Sequence, residues 1–144
     1  VSTTNATDAQ QRNVELVRHF LNHMTDAGLA VKGDEIVSFL HPEIEWTPGM
    51  LAFGQRTYVG RDEYRRYVEE AVEASGEGGY LNVQEIRPVG DDRVLALGWV
   101  HHKNKEGEGF DNDYAVVAGI EDGLIRTLRS YLSAAEAEKA AGDA

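Results

Sequence analysis

The sequence predicts an α+β fold in which helices from the first half pack on one face of a curved sheet, and three observations predict it. In the first half, apolar residues recur at three- and four-residue steps, the spacing of half-buried helices. From Asp92 to Ser133 the chain reads as three consecutive strands, RVLALGWVHHK, GFDNDYAVVAGI and LIRTLRSYL. A Gly-rich turn at Asn104–Gly109 and a tight one at Asp122–Gly123 join them. Two S/T-x-x-E/Q capping boxes punctuate the ends. At 144 residues the chain is read as one domain, 1–144, long enough to bury about two-thirds of its extended surface.

Taken in order, Thr7-Asp8-Ala9-Gln10 is a capping box that starts a first helix, and residues 1–6 ahead of it are expected to be disordered. Leu16, Val17, Phe20, Leu21 and Met24 form its apolar stripe, with Gly28 as C-cap. Asp34 caps a short second helix, EIVSFL. His41-Pro42 stops it, because the residue before proline is pushed out of the helical region. Glu43 to Thr47 alternates Ile44 and Trp46 with polar residues, a half-buried strand ended by Pro48-Gly49. Met50, Leu51, Phe53 and Tyr58 stand in a loop and either line a pocket mouth or pack on a partner. Gly60-Arg61-Asp62 opens a third helix with Tyr64, Tyr67, Val68, Ala71 and Ser75 on one face; it ends at Gly76. Tyr80 to Pro88 is read as a strand although it lacks a clean apolar face. Ser133-Ala-Ala-Glu136 is the second capping box and starts an Ala-rich tail helix within 133–144.

Composition excludes several classes of function. A net charge of −11 with no basic stripe argues against nucleic acid and anionic membranes. The absence of cysteine excludes disulfides, iron–sulfur clusters, thiolate zinc sites and a cysteine nucleophile. VSTTNATDAQ lacks the regions of a signal peptide and no apolar run approaches membrane length, so the expected location is the cytoplasm. Arg outnumbers Lys ten to four, the composition of a GC-rich bacterial gene.

Local signals resemble a family. Val59-Gly60 before the third helix, the hairpin Glu121-Asp122-Gly123-Leu124-Ile125 and the ending Arg129-Ser130-Tyr131-Leu132-Ser133 look like SnoaL-like polyketide cyclases and ketosteroid-isomerase-like proteins. The resemblance covers nearly the whole chain. It implies the fold of nuclear transport factor two: a cone-shaped, strongly curved mixed or antiparallel sheet with three helices of the N-terminal half on its concave face. It further implies an interior lined by Leu95, Leu97, Trp99 and His101, by Asp111, Asp113, Ala115 and Val117, and by Leu128, Ser130 and Leu132.

Strand pairing gives a partial check. A two-residue turn at Asp122-Gly123 pairs Glu121 with Leu124, which sets Val117 opposite Leu128, Ala115 opposite Ser130 and Asp113 opposite Leu132. Across the longer turn, pairing of His101 with Asp113 competes with a one-residue slip to Asn112. The greater bulk of Tyr114, Val116 and Ile120 favours the slip; the family pattern favours Asp113. Within an apolar cone, burial would raise the Asp113 pKa and a neighbouring imidazolium would lower it, giving a pair that passes a proton near neutral pH. The plainer reading puts His101-His102 near a strand end in water and Asp111 and Asp113 in a solvated loop.

The resemblance also has departures. Phe20 stands where isomerase-like relatives place the tyrosine of an oxyanion hole, and Trp46 or Thr47 falls near their aspartate base. Ser130 and Ser133 stand where an epoxide-hydrolase-like ending would place aspartates. His19 and His23 have metal-site spacing on a helix but lack a general-base Glu and a third ligand, so a solvated face explains them better.

The resulting expectation is a cofactor-independent enzyme of cyclase, isomerase or dehydratase type, acting on a small hydrophobic cyclic or polyketide-like molecule of natural-product metabolism. It would have no metal and act as a homodimer through the outer sheet face. Asp113 is the expected general base and His101 the proton shuttle. Phe20, Trp46, Tyr58, Leu97, Trp99, Ala115, Leu128, Ser130 and Leu132 would bind substrate. The rival classes are a non-catalytic binding protein and an assembly module.

Overall fold

Thr7 and Gln10 close the predicted capping box in both directions: the Thr7 N–H donates to Gln10 Oε1 at 3.0 Å and the Gln10 N–H to Thr7 Oγ1 at 3.1 Å. In the computed structural model, which describes residues 7–27, 37–48, 57–75, 80–103, 108–131 and 133–142, this box opens helix α1 (Asp8–Ala27). Val17, Phe20 and Leu21 of its stripe are buried, as their spacing requires. The Met24 side chain, Gly28, Asp34, Met50, Leu51, Phe53, Gly76 and Leu132 lie outside the described residues.

The second predicted helix is corrected. Its described part is one 3₁₀ turn at Val37–Phe39, and Leu40 already belongs to strand β1 (Leu40–Thr47), where it pairs with Ile125. So short a segment cannot sustain an α-helix by its own hydrogen bonds, and a ladder partner decides its conformation. Strand β2 (Tyr58–Val59) and helix α2 (Arg61–Ser75) follow. Gly60 joins them at a φ of 93°, a conformation that a side chain would strain. Its N–H donates to the Ile44 carbonyl at 2.7 Å while its own carbonyl accepts from the Tyr64 N–H at 3.1 Å.

Strands β3 (Tyr80–Val89), β4 (Arg93–Lys103), β5 (Gly109–Glu121) and β6 (Leu124–Tyr131) complete an open, mixed six-stranded sheet in the order β2-β1-β6-β5-β4-β3. Only the β1–β6 pair is parallel. Helix α3 (Ala134–Ala140) ends the described chain; its cap Ser133 accepts from the Glu136 N–H at 3.2 Å, as the second capping box predicts. An α+β protein with three α-helices among the described residues is thus in place.

Two bulges set which residues share a face. Val83 pairs with Gly98 and Glu85 with Leu97, leaving Gln84 extra in β3. Gly119 pairs with Thr127 and Ile120 with Ile125, leaving Arg126 extra in β6. One face carries Val94, Ala96, Val116, Ala118, Ile125 and Leu128, packed in a single core with Val17, Phe20 and Leu21 of α1 and Tyr64 of α2. On the other face Leu95 and Ala115 pack on Ala137 of α3, flanked by Leu97, Val117 and Tyr131.

This overturns the expected interior for β4 and β5. The odd-numbered set that includes Leu97, Trp99, His101, Asp113 and Ala115 alternates onto the face away from α1 and α2. The small residues Ala96 and Ala118 are fully buried in the same core as Val17, Phe20 and Leu21. The greater bulk of Tyr114 and Val116 does mark the helix-covered face of β5. Leu128 and Ser130 stay on that same face, but opposite Ala118 and Val116 rather than Val117 and Ala115, because the Arg126 bulge shifts the ladder.

Candidate functional site

Aromatic residues gather where α1, α2, β1 and β2 meet the sheet. Trp46 pairs with Tyr58 across β1–β2 and with Leu128 across β1–β6, which fixes its backbone from both sides. The Tyr64 and Tyr67 rings reach it edge-on, with centroids 6.1 Å and 5.5 Å away. Phe20 meets Phe39 at 6.3 Å and Tyr64 at 6.4 Å, and Tyr58 meets Tyr67 at 5.1 Å. Tilted and edge-on pairs of this kind add about 0.5–1.5 kcal/mol each beyond their buried area. Tyr114 of β5 packs against the same core.

The polar tips of this cluster are phenols and one indole. Burial pushes the Tyr67 phenol up to about 12; the neighbouring Tyr58 adds to the rise and the Trp46 indole N–H offsets part of it. Tyr64 and Tyr114 are raised as well, again chiefly by burial and then by neighbouring phenols. Tyr67 and Tyr114 are nevertheless only half-buried by surface. Trp46 is 8% exposed and its Nε1 has no hydrogen-bond partner. It therefore lies near the Tyr67 oxygen, close enough to act on its charge, without the geometry of a hydrogen bond.

Of the residues expected from the sequence, Phe20, Trp46, Tyr58 and Leu128 are buried in this core, and Ser130 is half-buried on the same sheet face. Tyr64 and Tyr67 were legible as one helix face. Tyr114 was missed, although its size against Ala115 and Val117 was the available signal. Among the described residues no carboxylate or imidazole is fully buried in the core.

His101 meets a different acid from the one expected. Its backbone pairs with Asp111, and its Nδ1 lies 2.6 Å from Asp111 Oδ1, while Asp113 pairs with Trp99 and is exposed. The ring is 27% exposed and Asp111 63%, so water screens this contact. The register differs by two residues from the expected one, which keeps His101 and Asp113 on a common face but separates their pairing.

A second histidine sits at the β5–β6 turn. His41 Nδ1 accepts from the Glu43 N–H at 3.0 Å, which in the neutral ring leaves the proton on Nε2. That nitrogen faces Glu121 at 3.5 Å and Asp122 at 3.8 Å. The three side chains are near enough together to hold a metal ion, yet this tautomer offers them an N–H instead of a lone pair, and both carboxylates are exposed. His19 is exposed and pairs with Glu15 at 3.7 Å, which fits the solvated face expected for it. The His23 side chain lies outside the described residues.

The sequence profile of the SnoaL-like domain matches residues 16–128. The chain belongs to the SnoaL-like domain family. Solved structures share its fold. TerC co-crystallized with polyporic acid superposes with a TM-score of 0.73 at 20% identity, over 90% of this chain and 98% of that one. A protein from Jannaschia sp. CCS1 assigned by inference as a SnoaL-like polyketide cyclase gives 0.76 at 12% identity, over 99% of each chain. A nuclear transport factor two-like protein of unknown function from Burkholderia pseudomallei gives 0.72 at 22%, over 89% and 95%. At these identities the likeness speaks for the fold alone. No curated protein sequence matches the chain significantly. No helix among the described residues of this SnoaL-like protein is long and apolar enough to cross a membrane.

Proposed function

We propose that this SnoaL-like protein is a cofactor-independent enzyme of the cyclase, isomerase or dehydratase type, acting in the bacterial cytoplasm on a small hydrophobic, ring-forming or polyketide-like molecule. The observation that carries the reading is the aromatic cluster with its neutral phenols, read here as the wall of a ligand crevice. A phenol kept protonated at physiological pH donates a hydrogen bond to a carbonyl, and that bond strengthens as an enolate or alkoxide forms. Flat walls from Phe20, Trp46, Tyr58 and Tyr64 would hold a ring, with Leu128 and Ser130 closing the sheet side. The TerC relative, co-crystallized with polyporic acid, supports an organic ligand of this general kind.

The geometry favours Tyr67 and Tyr114 as the acid groups over His101 and Asp113. The latter two stand on the face away from the crevice, where the half-buried Leu97, Val117 and Tyr131 would meet a second copy in a homodimer. Aromatic β-polyketones and hydroxylated ring ketones are the compounds to screen for turnover. Tyr67→Phe and Tyr114→Phe are each expected to lower kcat about 10²-fold or more, and His101→Ala to leave it near wild type. Loss of turnover in His101→Ala with both tyrosine variants active would move the chemistry to the other face. Binding without turnover by any compound would make this a binding protein.

A further inference from the structure

The Trp46 indole N–H acts on the Tyr67 phenol but has no partner in full hydrogen-bond geometry. The Trp46 ring is set edge-on to Tyr64 and Tyr67 and buried, which a phenylalanine could also achieve, yet the indole brings an N–H that is shut off from water and makes no hydrogen bond. A buried donor without an acceptor is unfavourable, and proteins retain few of them. Its described neighbours are aromatic rings and neutral phenols, and no charged side chain is fully buried among the described residues.

We propose, resting on the crevice reading above, that the Trp46 Nε1–H binds the ligand, donating to a carbonyl or quinone-type oxygen on an uncharged ring compound. The chemistry of the surroundings selects that class. A carboxylate ligand would lose its hydration where, among the described residues, no cationic side chain is fully buried to replace it, in a chain whose formal net charge is already −11. An ammonium has no use for an N–H donor. A ring ketone needs only a flat slot and one or two donors, and Trp46 stands between the Tyr58, Tyr64 and Tyr67 rings with its donor beside the Tyr67 oxygen. Trp46 is thereby a binding and orienting residue, with proton transfer left to the phenols.

The test uses a matched pair of ligands, 1-tetralone and tetralin, which share a ring system and differ by the carbonyl oxygen. Calorimetric titration of the whole chain is expected to show 1-tetralone binding about three- to tenfold more tightly than tetralin, the range of one neutral hydrogen bond. In Trp46→Phe that preference is expected to fall to near one while tetralin keeps its affinity within about twofold. A second measurement needs no variant: the protein has two tryptophans, and only the Trp46 indole N–H proton resonance should move downfield with 1-tetralone and stay in place with tetralin. An unchanged preference in Trp46→Phe, or an indole proton indifferent to the carbonyl, overturns the role of Trp46 alone. If neither compound binds the wild type, the crevice reading falls, and this inference with it.

Discussion

Burial acts on single residues here through the phenols of Tyr64, Tyr67 and Tyr114, which stay protonated beyond the pH at which a solvated tyrosine ionises. The effect on stability has a definite sign. In the unfolded chain these phenols ionise near 10, while the folded state holds Tyr67 neutral up to about 12. Above pH 10 the unfolded state therefore binds fewer protons than the folded one. Their contribution is complete below pH 10 and is lost as pH rises toward 12. Urea midpoints measured across that window should fall steeply for the wild type and less steeply for Tyr67→Phe. Equal slopes would mean that Tyr67 is not held neutral by its surroundings.

At the scale of elements, the two bulges explain both the shape of the sheet and the misreading of its faces. Gly98 lies opposite the β3 bulge, and a Cβ there would sit 2.0 Å from the Asn82 carbonyl oxygen and 3.0 Å from Val83 Cα, both backbone atoms that cannot swing aside. At Gly119 the obstacle is the Thr127 hydroxyl at 2.3 Å, a side-chain atom that can rotate. Gly98→Ala should therefore cost about 1–3 kcal/mol or more by urea denaturation and Gly119→Ala less, with Thr127→Ala relieving the second but not the first. The reverse order would contradict the bulge account. The helices, their capping boxes and all three long strands were legible because periodicity and caps are local signals. Registers were not. The tight turn correctly pairs Glu121 with Leu124, yet Arg126 breaks the alternation one step later. Likewise Gln84 shifts the phase of β3, which is why Leu81, Val83 and Ile86 join one core while failing to alternate in sequence. A glycine inside each neighbouring strand, Gly98 and Gly119, was the available warning of both bulges.

For the molecule as a whole, the sheet divides the candidate chemistry into two faces, with one tryptophan on each. The helix-covered face holds Trp46 and the phenols; the other holds Trp99, His101 and the Asp111 and Asp113 carboxylates. Family likeness indicated the fold from sequence but assigned the strands' inward set by analogy, whereas the even-numbered residues Val94, Ala96, Val116 and Ala118 of β4 and β5 share the core with α1 and α2. Phe20 and Trp46 were legible because large aromatic residues on a helix stripe or a strand alternation must find a core, whereas Tyr58 was read in a loop and stands in strand β2. Tyr114 was not legible, since its neighbours Asp111 and Asp113 drew attention to the opposite alternation. Entry of ligand between the aromatic rings can be followed by tryptophan emission in two single-tryptophan proteins titrated with 1-tetralone. Emission should change on binding in Trp99→Phe, where Trp46 remains, and stay constant in Trp46→Phe, where only Trp99 reports. A response from Trp99 with none from Trp46 would place the site on the other face and contradict entry between the rings.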